Sequence, residues 1–196
     1  MKNASNKKEL SIISFESQKA FSLWLERNHQ DDNGIWLKFF KKGSNIVSIS
    51  YSEALDEALC YGWIDGQLKK YDEHTWLRKF TPRRSKSIWS KKNIEHAEQL
   101  VKAKKMKPSG LKQVETAKED GRWQRGYDSP SKMVLPADFL KRLSGNKKAF
   151  SFYGTLNKSN KYAIAWRLQT AVSADAKEKR IKAILEMLEQ GKKFHA

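Results

Sequence analysis

Paired guanidinium groups, unpaired backbone N–H donors and flat aromatic rings are what a chain needs to hold a phosphate or a planar base. One stretch of this 196-residue sequence concentrates all three: DEALCYGWIDGQLKKYDEHTWLRKFTPRRSKSIWSKKN, from Asp56 to Asn93. Asp65 puts a carboxylate between a helix end and a strand. Arg83 and Arg84 follow Pro82, whose ring stiffens the turn that carries them. Ser87, Trp89, Ser90 and Asn93 open the next helix, where the first N–H groups lack intrahelical partners and the dipole favours negative charge. The candidate ligand-binding set is therefore Asp65, Arg83, Arg84, Ser87, Trp89, Ser90 and Asn93, and the chemistry it points to is capture of an anion. A purely architectural reading competes with it. Asp65 would then pair with Arg83 or Arg84, the tryptophans would be core, and Ser90 would be a cap worth about 1 kcal/mol.

Other chemistries find less support. His29, His74, His96 and His195 lack metal-ligand spacing, and the single cysteine, Cys60, can neither complete a zinc site nor form an internal disulfide. P-loop, dinucleotide and nucleophile-elbow signatures are missing. Cys60 lies inside a helix with no cationic neighbour in sequence to lower its pKa, so it reads as a packed thiol. No catalytic residue, metal or cofactor is assigned. A second motif, Met106-Lys107-Pro108-Ser109-Gly110 with Asp120-Gly121-Arg122-Trp123, frames one helix between proline and glycine. Packing is the role expected of its Arg122 and Trp123.

The elements that must position these residues read as follows. Residues 1–10 are polar and expected to fray. Ser17 caps a first helix with Phe21, Trp24 and Leu25 on one face, and Asp32-Asn33-Gly34 is a turn. Residues 34–40 read as a mostly buried strand. Ser50 and Glu53 have capping-box spacing and open a second helix, which Gly62 stops. Strands follow near 64–71 and 74–80, the second with His74, Trp76, Arg78 and Phe80 on one face and Leu77 and Lys79 on the other, and Pro82 ends the pairing. Helices are expected from Ser90 to about Lys104 and from Pro108 to about Glu119. Beyond Tyr127 the pattern is helical: one helix has Pro136 at its first position, and others span 146–153, 159–171 and 174–190. The fold class is α+β, a small antiparallel sheet packed by helices and followed by a helical C-terminal region. The expected division is a core domain over 1–126, a linker over 127–135 and the helical region over 136–196.

Charge agrees with an anionic partner. The formal net charge is +17, and residues 101–196 hold 13 of the excess. Such a balance favours an acidic protein or a polyanion over cationic ligands. No run approaches the ~20 apolar residues that span a bilayer, so integral membrane insertion is not expected. The N-terminal MKNASNKKELSIISF lacks an apolar core and cleavage site, and with one cysteine this places the protein in the cytoplasm.

The runs EALDEALCYGWIDGQ (53–67), RKFTPRRSKSIWSKKN (78–93), MKPSGLKQVETAKEDGRW (106–123) and AVSADAKEKRIKAILEMLEQGKKF (171–194) resemble the YdeI/OmpD-associated, bacteriocin-protection family. Two departures stand out: Lys79 occupies a position where the family often has arginine, and Asp175-Ala176-Lys177-Glu178 replaces a threonine-glutamate helix start. The resemblance implies a role in bacteriocin protection or stress tolerance, or association with an outer-membrane porin, and brings no reaction and no catalytic residues.

Three functions are thus open. The first is a non-catalytic module binding a phosphorylated ligand or nucleic acid. The second is an enzyme on a small anionic substrate with Asp65 as base. The third is an interaction scaffold whose partner is another protein.

Overall fold

The computed structural model describes residues 9–31 and 33–195. Most of the segment expected to fray, residues 1–8, and Asp32 of the expected turn lie outside the described residues. The chain forms two compact units, one built from residues up to Ser87 with Asn93–Gln124, the other from Ile88–Lys92 with the residues from Arg125 onward.

The first unit is the α+β part. Its elements are β1 (Ile12–Ile13), α1 (Gln18–Asn28), β2 (Ile35–Phe40), α2 (Tyr51–Cys60), β3 (Trp63–Lys70), β4 (Thr75–Pro82) and α4 (Pro108–Glu119), with most of α3 (Lys91–Lys102). Ser17 caps α1, its Oγ accepting from the Ala20 N–H at 3.2 Å. The capping box closes both ways at α2: Glu53 N–H donates to Ser50 Oγ at 3.3 Å and Ser50 N–H to Glu53 Oε2 at 2.8 Å. Beyond α2 the chain reverses at Gly62, where φ is 79° and a side chain would be strained.

The sheet order is β1-β2-β4-β3, antiparallel except for the parallel β1–β2 edge. That edge strand was not anticipated, because two residues carry no readable period. Facing residues in an antiparallel pair share a side of the sheet. Ile35, Leu37 and Phe39 of β2 therefore lie on the same face as Phe80, Arg78 and Trp76 of β4 and Asp65 of β3. The helices pack on this inner face. Phe21 meets Phe80 at 6.1 Å between ring centroids, and Trp24 meets Trp63 at 5.8 Å. Fully buried aromatics such as Phe21 and Phe80 contribute about 1.5–3 kcal/mol each. The other face carries Trp36, Lys38 and Phe40 of β2, all half-buried, so β2 alternates rather than being buried throughout. Pro82 stands inside the ladder, opposite Trp63. By that point β4 is past its last pairing with β2 at Phe80, so the absent N–H faces no partner strand.

α4 lies hard against the end of α2. Lys107 N–H donates to Cys60 O at 3.0 Å, and a Cβ on Gly110 would come within 2.2 Å of that oxygen.

The second unit holds α5 (Ala137–Gly145), α6 (Lys147–Thr155), α7 (Lys158–Gln169) and α8 (Ala174–Glu189). Pro136 is the N-cap of α5 rather than its first residue. Phe139, Leu143, Ile164, Leu168, Ile181, Ile184 and Leu188 form the core, with the stripe in α8 at the expected helical spacing. Asn160, nearly inaccessible, exchanges hydrogen bonds with Asn157 and with the backbone of His195, fastening the C-terminal tail. The short segment Ile88–Lys92 joins this unit by pairing with Tyr127: Tyr127 N–H donates to Trp89 O at 3.0 Å and Lys91 N–H to Tyr127 O at 2.8 Å.

Candidate functional site

Backbone geometry builds the turn after β4 first. Arg83 N–H donates to Gly62 O at 3.0 Å, which ties the end of β4 to the start of β3. Arg84 N–H donates to Ser87 Oγ at 2.9 Å, and Ser87 N–H returns to Arg84 O at 2.9 Å. Arg122 reaches the same turn from the end of α4, its Nη1 donating to Ser87 O at 2.8 Å while Nε sits 2.7 Å from Asp120 Oδ2. The turn is a braced knuckle. It sends the two arginines in different directions: Arg83 is buried, whereas Arg84, Ser85 and Lys86 are exposed.

Asp65 sits elsewhere, on the inner face of the sheet with a side chain 10% exposed. Its partner is Arg78, on the neighbouring strand, rather than Arg83 or Arg84. Arg78 Nε donates to Asp65 Oδ2 at 3.0 Å, its Nη2 contacts the same oxygen, and Tyr51 Oη donates to it at 2.8 Å. Tyr51 and Arg78 also stack, with 5.3 Å from guanidinium carbon to ring centroid. Burial, and then the Asp65 charge, push the Tyr51 hydroxyl up to about 12. Burial alone would lower the Arg78 pKa, but the hydrogen bond and charge of Asp65 outweigh it and hold the guanidinium above its ordinary value. The cluster is a part-buried ionic node joined through Tyr51 to Trp76 and Phe39, whose rings stack at 4.4 Å.

The remaining candidates divide between the units. Asn93 is buried near the start of α3 and belongs to the first unit with Asp65, Arg83, Arg84 and Ser87. Trp89, 1% exposed, and Ser90 belong to the second, where Ser90 bridges to Tyr127.

Sequence reasoning did not single out Tyr51 and Arg78. The grouping of Trp76, Arg78 and Phe80 on one face was readable; the register that brings Asp65 beside Arg78 was not, because a bulge between Asp65 and Leu68 shifts it. Also missed was the outer face of the sheet. There Lys38 Nζ lies 4.9 Å from the centroid of the Tyr71 ring and 5.5 Å from that of Phe40.

Residues 13–113, half the chain and nearly all of the sheet-bearing elements, match a family described as a domain of unknown function (DUF8412). The chain belongs to that family. Residues 132–191 match the family described as "Bacteriocin-protection, YdeI or OmpD-Associated", so the family resemblance holds in the C-terminal segment. No curated protein and no solved structure matches the chain. Among the described residues no helix is long and apolar enough to cross a membrane.

Proposed function

We propose that this protein is a non-catalytic anion-binding module for a phosphorylated ligand or nucleic acid. The observation that carries this reading is the braced knuckle. Arg84 and Lys86 stand exposed on a backbone fixed by Arg84–Ser87 hydrogen bonds in both directions and by Arg122 on Ser87 O. A fixed backbone leaves less entropy to lose when an anion docks, and a guanidinium offers a forked pair of donors to phosphate. Arg83 and Asp65 support the strand ends and the sheet under this contact surface. Asp65 favours the non-catalytic side, because its side chain is largely buried and its Oδ2 already accepts from Tyr51 and Arg78. The net charge of +17 supplies long-range attraction. In this reading the protein works in the cytoplasm, where nucleic acid and phosphorylated metabolites are available.

The test is a titration of labelled DNA, RNA and nucleotides at two salt concentrations. Affinity should fall steeply with salt, and Arg84→Ala with Lys86→Ala should weaken binding evenly across sequences, lowering the salt slope by about one per lost phosphate contact. Absence of binding at low salt overturns the proposal.

A further inference from the structure

The outer face of the sheet is organised in rows. Trp36 stands opposite Lys79. Lys38 stands opposite Leu77, which in turn faces Lys69. Phe40 stands opposite Thr75, whose carbonyl accepts from the Tyr71 N–H at 3.4 Å. Aromatic and cationic side chains thus alternate along β2 as Trp36, Lys38 and Phe40, and Lys79, Lys69 and Tyr71 extend the mixed surface over β4 and the β3 end of the sheet. Leu77 is buried at their centre, Tyr71 is 49% exposed, and Lys69 is exposed. None of the outer-face residues of β2, β3 and β4 is acidic. At the hairpin end Asp72 turns its carboxylate onto the backbone, accepting from His74 N–H at 2.8 Å and Thr75 N–H at 2.7 Å. The ring contacts of α1 and α2 with strand residues (Phe21–Phe80, Trp24–Trp63, Tyr51–Phe39 and Tyr51–Trp76) are made on the inner face.

From this face we infer that the anion is a single-stranded nucleic acid, with bases stacking on Trp36, Phe40 and Tyr71 and phosphates meeting Lys69, Lys79 and Lys38, which exchanges its contacts with the Phe40 and Tyr71 rings for the phosphate. The inference rests on the anion-binding reading and extends it from the knuckle to the sheet that leads into it. The two rings on β2, Trp36 and Phe40, are four residues apart, about 13.6 Å and so four times the ~3.4 Å per nucleotide of a stacked strand. A strand laid along β2 must therefore splay its bases, which a single strand does readily and a duplex does not. Rings tolerate any base, because every base has a π-face, while the lysines supply backbone attraction. Charge complementarity selects the occupant. An acidic protein surface would draw the lysines away, Lys38 from Phe40 and Tyr71 included, and offer the rings no flat partner, whereas a single strand supplies both.

The test compares the full-length protein with labelled oligothymidine, a duplex of equal charge, and inorganic polyphosphate. Each wild-type affinity should fall with salt, and the single strand should bind tighter than the duplex. Trp36→Ala, Phe40→Leu and Tyr71→Ser should each weaken single-strand binding about tenfold, while polyphosphate binding holds. Tyr71→Ser, at an exposed hairpin position, keeps the test decisive if Trp36→Ala fails to fold by circular dichroism. Lys38→Gln with Lys69→Gln should lower the salt slope for all three polyanions. Equal affinity for single strand and duplex, unchanged by the ring substitutions, overturns the stacking platform and leaves the anion module standing. No binding to any of the three at low salt overturns both.

Discussion

Asp65 separates an architectural role from a ligand-contacting one, and the structure sets the size of the effect. Asp65→Ala deletes the acceptor of three contacts, from Tyr51 Oη and from Nε and Nη2 of Arg78. Breaking a fully buried ion pair by removing one partner costs about 3–5 kcal/mol. Here the Arg78 side chain is 24% exposed, so its guanidinium recovers part of its hydration when the carboxylate goes. The loss should therefore be about 2–3 kcal/mol, in line with hydrogen bonds to a charged group. At about 2–4 °C per kcal/mol for a chain of this size, Tm should fall by roughly 4–12 °C. Far-ultraviolet circular dichroism checks both, with urea titration giving the free-energy loss and a thermal melt the fall in Tm. The double variant Asp65→Ala with Arg78→Met should regain much of the loss, because an apolar pair leaves no charge stranded. Polyanion affinity measured below the transition should stay within twofold of wild type. A change in stability under about 0.5 kcal/mol together with abolished binding would refute the reasoning, since it would make Asp65 a ligand contact and not a brace.

Two further perturbations probe the core. Gly110→Ala should destabilise by about 1–3 kcal/mol, because its Cβ would stand 2.2 Å from Cys60 O and 2.8 Å from Leu59 O, both backbone atoms. Gly154→Ala, helical with nothing within 4 Å, should instead gain up to about 1 kcal/mol, and equal denaturation midpoints for the two variants would refute the close approach of α4 to α2. Alkali tests burial: Cys60 is pushed up from 9.0 to about 12 by burial and then by Glu57 and Asp56, and Tyr51 from 10.0 to about 12. Both are raised in the folded state, so their contribution is full below the unfolded values, about pH 9 and 10, and is lost as pH climbs through about 12. Cys60→Ala should flatten the alkaline limb of the stability curve, and an unchanged slope between wild type and variant would count against the buried thiol.

How much of this was legible beforehand depends on the range of the interactions involved. Caps and turns are local, so Ser17, the Ser50–Glu53 box and the Gly62 stop could all be read from a few neighbours and appear where expected. The helical stripe of α8 was equally plain, since Ile181, Ile184 and Leu188 repeat at helical spacing. Register is not local. The salt bridge Asp65–Arg78 depends on a bulge in β3, and the alternation of lysine and aromatic side chains on the outer face depends on pairing β2 with β4 across the intervening α2. At the knuckle, the adjacent Arg83 and Arg84 gave the chemistry but not the direction. A strand end holds one side chain inward and the next outward, and only the Gly62 contact decides which arginine is buried.

The two family matches fall on different stretches, and so do the two kinds of force the proposed function needs. Residues 101–196 hold 13 of the 17 excess positive charges, whereas the knuckle and the outer face of the sheet lie before residue 90. At physiological salt the Debye length is about 8 Å, so a charge that does not touch the ligand hastens encounter and discriminates little. Discrimination requires contact, and the rings and the exposed Arg84 guanidinium that would supply it lie within 13–113, the stretch whose family carries no functional description. The bacteriocin-protection description attaches to 132–191, a four-helix unit with its own core. A phenotype linked to those helices therefore says nothing about what the sheet binds. Substitutions at Trp36 or Tyr71 should change ligand choice, whereas neutralising exposed lysines of α5–α8 should change association rate and salt dependence while leaving the preference for single strand over duplex in place.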